Sequence, residues 1–198
     1  MGKKTAFVVI LLIVFIDQLI KILVKTNMYI GQEIVVFENW FLIHFTENEG
    51  MAFGLTFGGD TGKLLLSLFR ILAVGFIAYF LLRFIKQKAH IAIILSFCLI
   101  LGGAIGNIMD SVFYGVLFSD SFGRVAEFMP EGGGYAPALY GRVVDMFYFP
   151  IIRSTWPEWF PFWGGQSFVF FRPIFNFADA AITVGVFLIL IFQRQLQP

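Results

Sequence analysis

Four carboxylates in this chain lie where chemistry is expected of them: Asp17, Asp110, Asp145 and Asp179. Two aspartates that face each other in a semi-apolar setting cannot both ionise cheaply, so one keeps a proton and the other stays a base. The base takes a proton from an attacking water while its protonated partner hydrogen-bonds the scissile carbonyl, the division of labour used in peptide hydrolysis. Residue types and spacing leave the choice of pair open. Other nucleophiles have weaker claims. The serines lack a Gly-x-Ser-x-Gly setting, His44 and His90 have no evident partner, and Cys98 lies within an apolar run. One cysteine and two histidines make neither a disulfide nor a multi-cysteine zinc site, so no metal and no cofactor is expected.

Asp17 and Asp179 lie inside apolar runs that read as membrane helices, and Asp110 lies at the end of another. Of the 198 residues, 59% are hydrophobic and 14% charged, and the mean hydropathy is +0.84. A soluble domain carries roughly 25% charged residues, so the bilayer must be the solvent of this one. A net charge of +1 excludes a basic nucleic-acid binder. Spanning helices need about 20 apolar residues, and the windows Thr5–Val24, Leu64–Leu82, Ala89–Met109 and Ile174–Phe192 qualify. The fold expected is all-α and integral to the membrane, with four transmembrane helices in a single domain over residues 1–198.

Basic residues are retained on the cytoplasmic side. Lys3 and Lys4, the turn holding Arg83, Lys86 and Lys88, and Arg194 therefore put both termini in the cytoplasm. With no small-residue cleavage site after the first apolar run, that run reads as a retained helix. The first outer segment, 27–62, alternates in stretches such as Glu33–Phe37 and Trp40–Phe45, predicting a small antiparallel sheet at the membrane surface. The second, 111–173, holds Gly132-Gly133-Gly134 and six prolines and reads as a long irregular loop. Its Trp156, Trp159 and Trp163 suit either an aromatic belt at the headgroups or packing within the loop.

Ionisable residues inside a span are expensive and usually functional. At about 1.5 Å of rise per residue, Asp17 lies roughly 20 Å beyond Lys4, and Asn107 and Asp110 lie about 25–30 Å beyond His90. Counted back from Arg194, Asn176 and Asp179 lie about 22–27 Å from the inner face. Three helices thus bring polar groups to one level in the outer half, while the inner halves stay nearly free of them. That distribution argues against a transporter or channel, which needs polar residues through the full depth.

Five segments resemble lipoprotein signal peptidase (signal peptidase II), a family of bacterial membrane aspartic peptidases. Asp17-Gln18-Leu19-Ile20-Lys21 is similar to the family's Asp-Gln-x-x-Lys, and Asn48 to Phe53 to its Asn-x-Gly-x-Ala-Phe. Gly102 to Asp110 is similar to its Gly-Gly-x-x-Gly-Asn-x-x-Asp. Gly141 to Met146 and Phe175 to Ile182 resemble the segments that carry its catalytic aspartates. The resemblance implies that Asp145 and Asp179 are the catalytic pair. It implies that Asp17, Asn48, Gly50, Asn107, Asp110, Arg142 and Asn176 bind substrate or support the site. The implied substrate is a diacylglyceryl prolipoprotein, cut on the amino side of its lipidated lipobox cysteine at the outer (periplasmic) face of the bacterial cytoplasmic, or inner, membrane. Membrane lipids are implied partners, and globomycin an implied inhibitor.

Two features depart from the family pattern. Ser111 follows Asp110 where the family commonly has an arginine that contacts substrate backbone, with Arg142 as a substitute by proximity in sequence. Segments 112–140 and 151–172 are longer than the family pattern requires. Three local readings complete the sequence picture. Asp17 and Lys21, four apart, form an intrahelical ion pair; Asp110 either touches the site or faces headgroup water; and Gly102, Gly103 and Gly106 permit close helix packing.

Overall fold

The structure, a computed structural model, describes residues 1–38, 40–49 and 59–196. Its helices are α1 (Lys3–Lys25), α2 (Gly59–Lys86), α3 (Ile91–Met109), the short α4 (Gly115–Leu117) and α5 (Phe177–Ile191). A π-helical turn, Asp110–Tyr114, joins α3 to α4. Among the described residues, three helices are long and apolar enough to cross a membrane, Lys3–Lys25, Thr61–Lys86 and Ile91–Leu117. They form because a helix satisfies its own backbone polar groups in a medium without water. Large apolar side chains such as Phe7, Phe15, Phe69 and Phe76 point outward from them. Between them, Ala6, Leu81, Ile94, Cys98 and Leu101 form a packed core.

The fourth expected span, 174–192, is shorter than its apolar window. Ile174–Phe175 is a strand, β6, and Asn176 caps α5, which runs for 15 residues from Phe177. Sheet pairing and the cap remove three residues that apolarity alone assigns to the helix. α3 is the central element and packs on α1, α2 and α5. Glycine lets it approach both neighbours. A Cβ on Gly102 would lie 2.9 Å from the Ile13 side chain, and one on Gly103 would press on the Ala178 carbonyl.

The other strands are β1 (Glu33–Phe37), β2 (Phe41–Asn48), β3 (Val143–Tyr148), β4 (Ile152–Thr155) and β5 (Ser167–Phe170). β1, β2, β3 and β6 form one antiparallel sheet in that order, and β4 pairs with β5 in a separate hairpin. The expected sheet from segment 27–62 is therefore only half of it. Segment 111–173, expected as an irregular loop, supplies β3. Period-2 alternation is missing from Val143–Met146 because all four residues are buried, and a strand covered on both faces reads as a continuous apolar run. Val144 and Met146 pack with Val24, Met28, Phe45, Tyr114 and Phe118 beneath the sheet.

The rest of that segment docks on the π-turn, where Gly141 N–H donates to the Ser111 carbonyl (2.9 Å) and Ala136 N–H to the Gly115 carbonyl (3.0 Å). In the hairpin, Trp156 stacks on Phe160 (4.5 Å) and packs on Phe168 (4.8 Å). Trp159 and Phe162 are 79% and 91% exposed. The two readings of this aromatic cluster thus divide by residue, Trp156 packing within the hairpin and Trp159 and Phe162 facing outward.

Candidate active site

Asp179 is placed by a helix start. Asn176 has extended backbone and caps α5: its Oδ1 accepts from Asp179 N–H (2.9 Å), and Asp179 Oδ2 accepts from Asn176 N–H (3.5 Å). This reciprocal capping box fixes the carboxylate in the first helical turn, where the helix dipole favours negative charge. The other oxygen, Oδ1, accepts from Asn107 Nδ2 of α3 at 2.8 Å.

Asp145 is placed by a strand. In β3, side chains alternate, so Val144 and Met146 enter the core while Asp145 faces the opposite side. Its Oδ1 accepts from Asn176 Nδ2 at 2.6 Å, and its Oδ2 accepts from Asn48 Nδ2 of β2. Burial, reinforced by the negative charge of Asp179 and opposed by the Lys21 charge and the Asn176 hydrogen bond, pushes the Asp145 carboxyl up to about 7. Asn176 is fully buried. One side chain therefore touches both segments, its amide nitrogen on the Asp145 carboxylate and its oxygen on the Asp179 backbone. The nitrogen also donates to Asn107 Oδ1 at 3.1 Å.

A second polar layer lies against the first. Lys21, fully buried, contacts Asp17 (2.9 Å), Asp110 (2.8 Å) and Asn107 Oδ1 (2.8 Å). The Asp17–Lys21 pair read from the sequence is one edge of this cluster. Asp17 also accepts from Ala178 N–H at 2.9 Å, binding α1 to the first turn of α5. Asp110 is fully buried, so of its two sequence readings the headgroup-facing one is corrected. The π-turn directs its carboxylate inward, where it accepts from Gln18 Nε2 (2.9 Å) and from Val144 N–H (3.2 Å). Asp110 thereby holds β3 at the residue before Asp145.

Gln18, the second residue of the Asp-Gln-x-x-Lys run, joins this cluster although the resemblance assigns it no role. It donates to Asp17, Asp110 and the Gly106 carbonyl and accepts from Tyr114. Its polar amide in an apolar run, beside Asp17, was the available signal. Gly106 leaves room for this cluster, because a Cβ there would lie 2.5 Å from Asp17 Oδ2.

The remaining predicted residues take other places. Ser111 is buried and its hydroxyl donates to the Asn107 carbonyl (3.3 Å). Arg142 pairs with Glu47 (3.2 Å), its guanidinium lying over the rings of Tyr135 (4.9 Å) and Phe122 (5.2 Å). Glu47 also pairs with Lys25. Arg142 is the residue before β3, and its guanidinium is directed to Glu47 of β2. Gly50 lies outside the described residues.

The α3–α5 contact sets the Asn107–Asp179 distance, which makes Gly103 sensitive. In Gly103→Ala the new methyl meets the Ala178 carbonyl and, at 2.8 Å, Ile182 Cγ1. Parting the helices is expected to cost about 1–3 kcal/mol. The thermal midpoint in detergent should fall and turnover should drop about 10-fold; a variant that melts and turns over like wild type counts against this contact.

Three long apolar helices, with a small sheet at one end and a buried carboxylate cluster between them, define an integral membrane enzyme. A family model described as signal peptidase (SPase) II matches residues 9–194. A lipoprotein signal peptidase of Porphyromonas gingivalis is 54% identical over 191 residues, covering 96% of this chain and 82% of that protein. One of Amoebophilus asiaticus is 39% identical, covering 93% and 75%. A bacterial membrane enzyme solved by the in meso method at 1.9 Å resolution is similar in structure, with a TM-score of 0.62, 26% identity and coverage of 96% of this chain and 93% of that one. The chain belongs to the signal peptidase II family of membrane aspartic proteases.

Proposed function

We propose that this protein removes the signal peptide of diacylglyceryl-modified prolipoproteins, cutting on the amino side of the lipidated cysteine, and that Asp145 and Asp179 are its catalytic pair. The observation that carries the assignment is Asn176, one buried side chain that binds the Asp145 carboxylate and the Asp179 backbone together. Asn48, Asn107, Asp17, Asp110 and Gly50 are assigned to binding substrate or supporting the site. Arg142, paired with Glu47 of β2, is assigned to supporting β3 and β2.

The pair works with one shared proton. The ionised carboxylate takes a proton from water as the water oxygen attacks the carbonyl carbon of the residue before cysteine, and the protonated carboxyl hydrogen-bonds the carbonyl oxygen. The tetrahedral adduct then loses the cysteine nitrogen. The C–N bond breaks, a proton passes from the pair to the leaving amine, and the new carboxyl end leaves with the signal peptide. Acyl chains remain in hydrocarbon while the peptide bond meets water at the polar level of the bundle.

We assign four membrane crossings, with α5 and the turn after it as the fourth. Both termini lie in the cytoplasm, the whole chain is one domain, and the active site lies near the outer face of the inner membrane. Membrane lipids cover the apolar helix faces, and globomycin is assigned as an inhibitor.

The test is incubation of the purified protein with a diacylglyceryl-modified lipobox peptide. Mass spectrometry should find a product that begins at the lipidated cysteine. Absence of cleavage across several lipidated sequences, by protein of verified fold, would refute the reading. The pH dependence has a defined sign. With Asp145 at about 7 in the free enzyme, the pair gives up its last proton as pH rises through that value, and kcat/KM should decline above about pH 7. A profile still rising at pH 9 contradicts the shared proton.

A further inference from the structure

We infer that Arg70 of α2 is a positioning cation for the aspartate pair, the counter-charge that keeps the pair singly ionised inside the membrane. The inference rests on the peptidase reading above. Lys63, Ser67, Arg70, Val74, Ile77 and Leu81 recur at spacings of four and three along α2, which places them on one face. That face is the inward one. Lys63, Ser67 and Leu81 are each no more than 5% exposed, and Val74 and Ile77 pack against the core around Cys98 and Leu101.

Arg70 is half-buried, one turn from Val74 toward the end of the bundle where Ser67 donates to the Leu139 carbonyl at 2.9 Å. α2 and α3 run antiparallel. The turns that follow Leu101 and Ile105 in that direction carry Asn107 of α3 and Asp110 of the π-turn. The guanidinium interacts electrostatically with Asp179 most strongly, then with Asp110 and Asp145.

The other cations near the site are committed elsewhere. Lys21, whose charge also reaches Asp145, makes its contacts to Asp17 and Asp110, two carboxylates for one ammonium. Arg142 is paired with Glu47 and covered by aromatic rings. Ser111, at the position where the resemblance leads one to expect arginine, is buried and neutral. Asn48 from β2, Asn176 from the α5 cap and Asn107 from α3 hydrogen-bond the pair, and the charged groups around these contacts are Asp17 and Lys21 of α1, Asp110 of the π-turn and Arg70 on the inward face of α2. In this setting carboxylates outnumber cations, and a buried negative charge without a counter-charge is driven to take up protons. A second proton on the pair leaves no base to activate water.

The test is the pH dependence of kcat/KM on a diacylglyceryl lipobox peptide for wild type, R70Q and R70K, with thermal melting in the same detergent. R70Q is expected to lose about 10- to 100-fold near pH 6, comparable at its upper end to removal of one transition-state donor. Its acid limb should move toward neutral pH, while R70K keeps the wild-type limb and most of the rate. Either an R70Q profile identical to wild type or a uniform loss with an unmoved limb overturns the inference. R70H supplies a second route if R70Q does not fold. Imidazole is charged only below about pH 6.5, so the R70H rate relative to wild type should fall as pH rises through that range, and a constant ratio also overturns the inference. Failure of wild type itself to cleave would sink the peptidase reading and this inference together; cleavage by wild type with unchanged Arg70 variants sinks this inference alone.

Discussion

Asp145→Asn and Asp179→Asn each reduce cleavage of a lipidated lipobox peptide by about 1,000-fold or more, and the double variant is little worse than either single one. An asparagine can neither take a proton from water nor share one, so one substitution removes the base or the acid and leaves its partner idle. Proton transfer by a positioned group contributes about 10²–10⁴-fold, and residues that act as one unit give non-additive losses. The geometry keeps the comparison fair. Asparagine has the shape of aspartate, and its oxygen keeps one of the two bonds each carboxylate accepts, from Asn176 Nδ2 (2.6 Å) at position 145 and from Asn107 Nδ2 (2.8 Å) at position 179, giving up only the second, from Asn48 Nδ2 or from Asn176 N–H. The variants should therefore melt within a few degrees of wild type. Initial rates by mass spectrometry, alongside melting in the same detergent, decide the matter. Retention of a tenth of wild-type activity by either variant would remove that aspartate from the pair.

Lys21→Met should have the largest effect on stability. If Lys21 made only the pair with Asp17 that its spacing predicts, the loss would be about 0.3–0.5 kcal/mol. In the structure it is fully buried and lies within 2.9 Å of two buried carboxylates from different helices. Its removal leaves Asp17 and Asp110 side by side without a cation. Breaking a buried pair by deleting one partner costs about 3–5 kcal/mol. For a chain of this length that corresponds to a midpoint lower by roughly 6–20 °C. Adding Asp110→Asn to Lys21→Met should recover part of the loss, because one of the two stranded charges is gone. A midpoint within 2 °C of wild type for Lys21→Met would return this lysine to the intrahelical pair with Asp17 alone.

Much of the site was legible because a membrane makes polar residues conspicuous. Asp17, Asn107, Asn176 and Asp179 stand out from runs of apolar residues, and a fixed helical rise puts them at one depth. Asp145 had no such signal. It sits in a strand buried on both faces, so neither alternation nor depth marks it, and only the resemblance of Gly141 to Met146 separated it from the other carboxylates. Asp110 was visible as a residue, but its direction was not. The π-turn, which turns its carboxylate inward, shows in no local pattern.

By itself the sequence determined the solvent of this protein, its apolar helices and the level at which its polar groups gather. These properties follow from composition and from periods of a few residues, which a single segment carries alone. Tertiary structure decided the partners. Asn176 joins the Asp145 strand to the Asp179 helix, Lys21 serves two carboxylates 93 positions apart (Asp17 and Asp110), and Asp110 holds the backbone of Val144. Each of these contacts depends on the relative height and rotation of elements distant in the chain. Those are set when α3 closes on α1 and α5 through glycine and β3 enters a sheet whose other half was made about a hundred residues earlier.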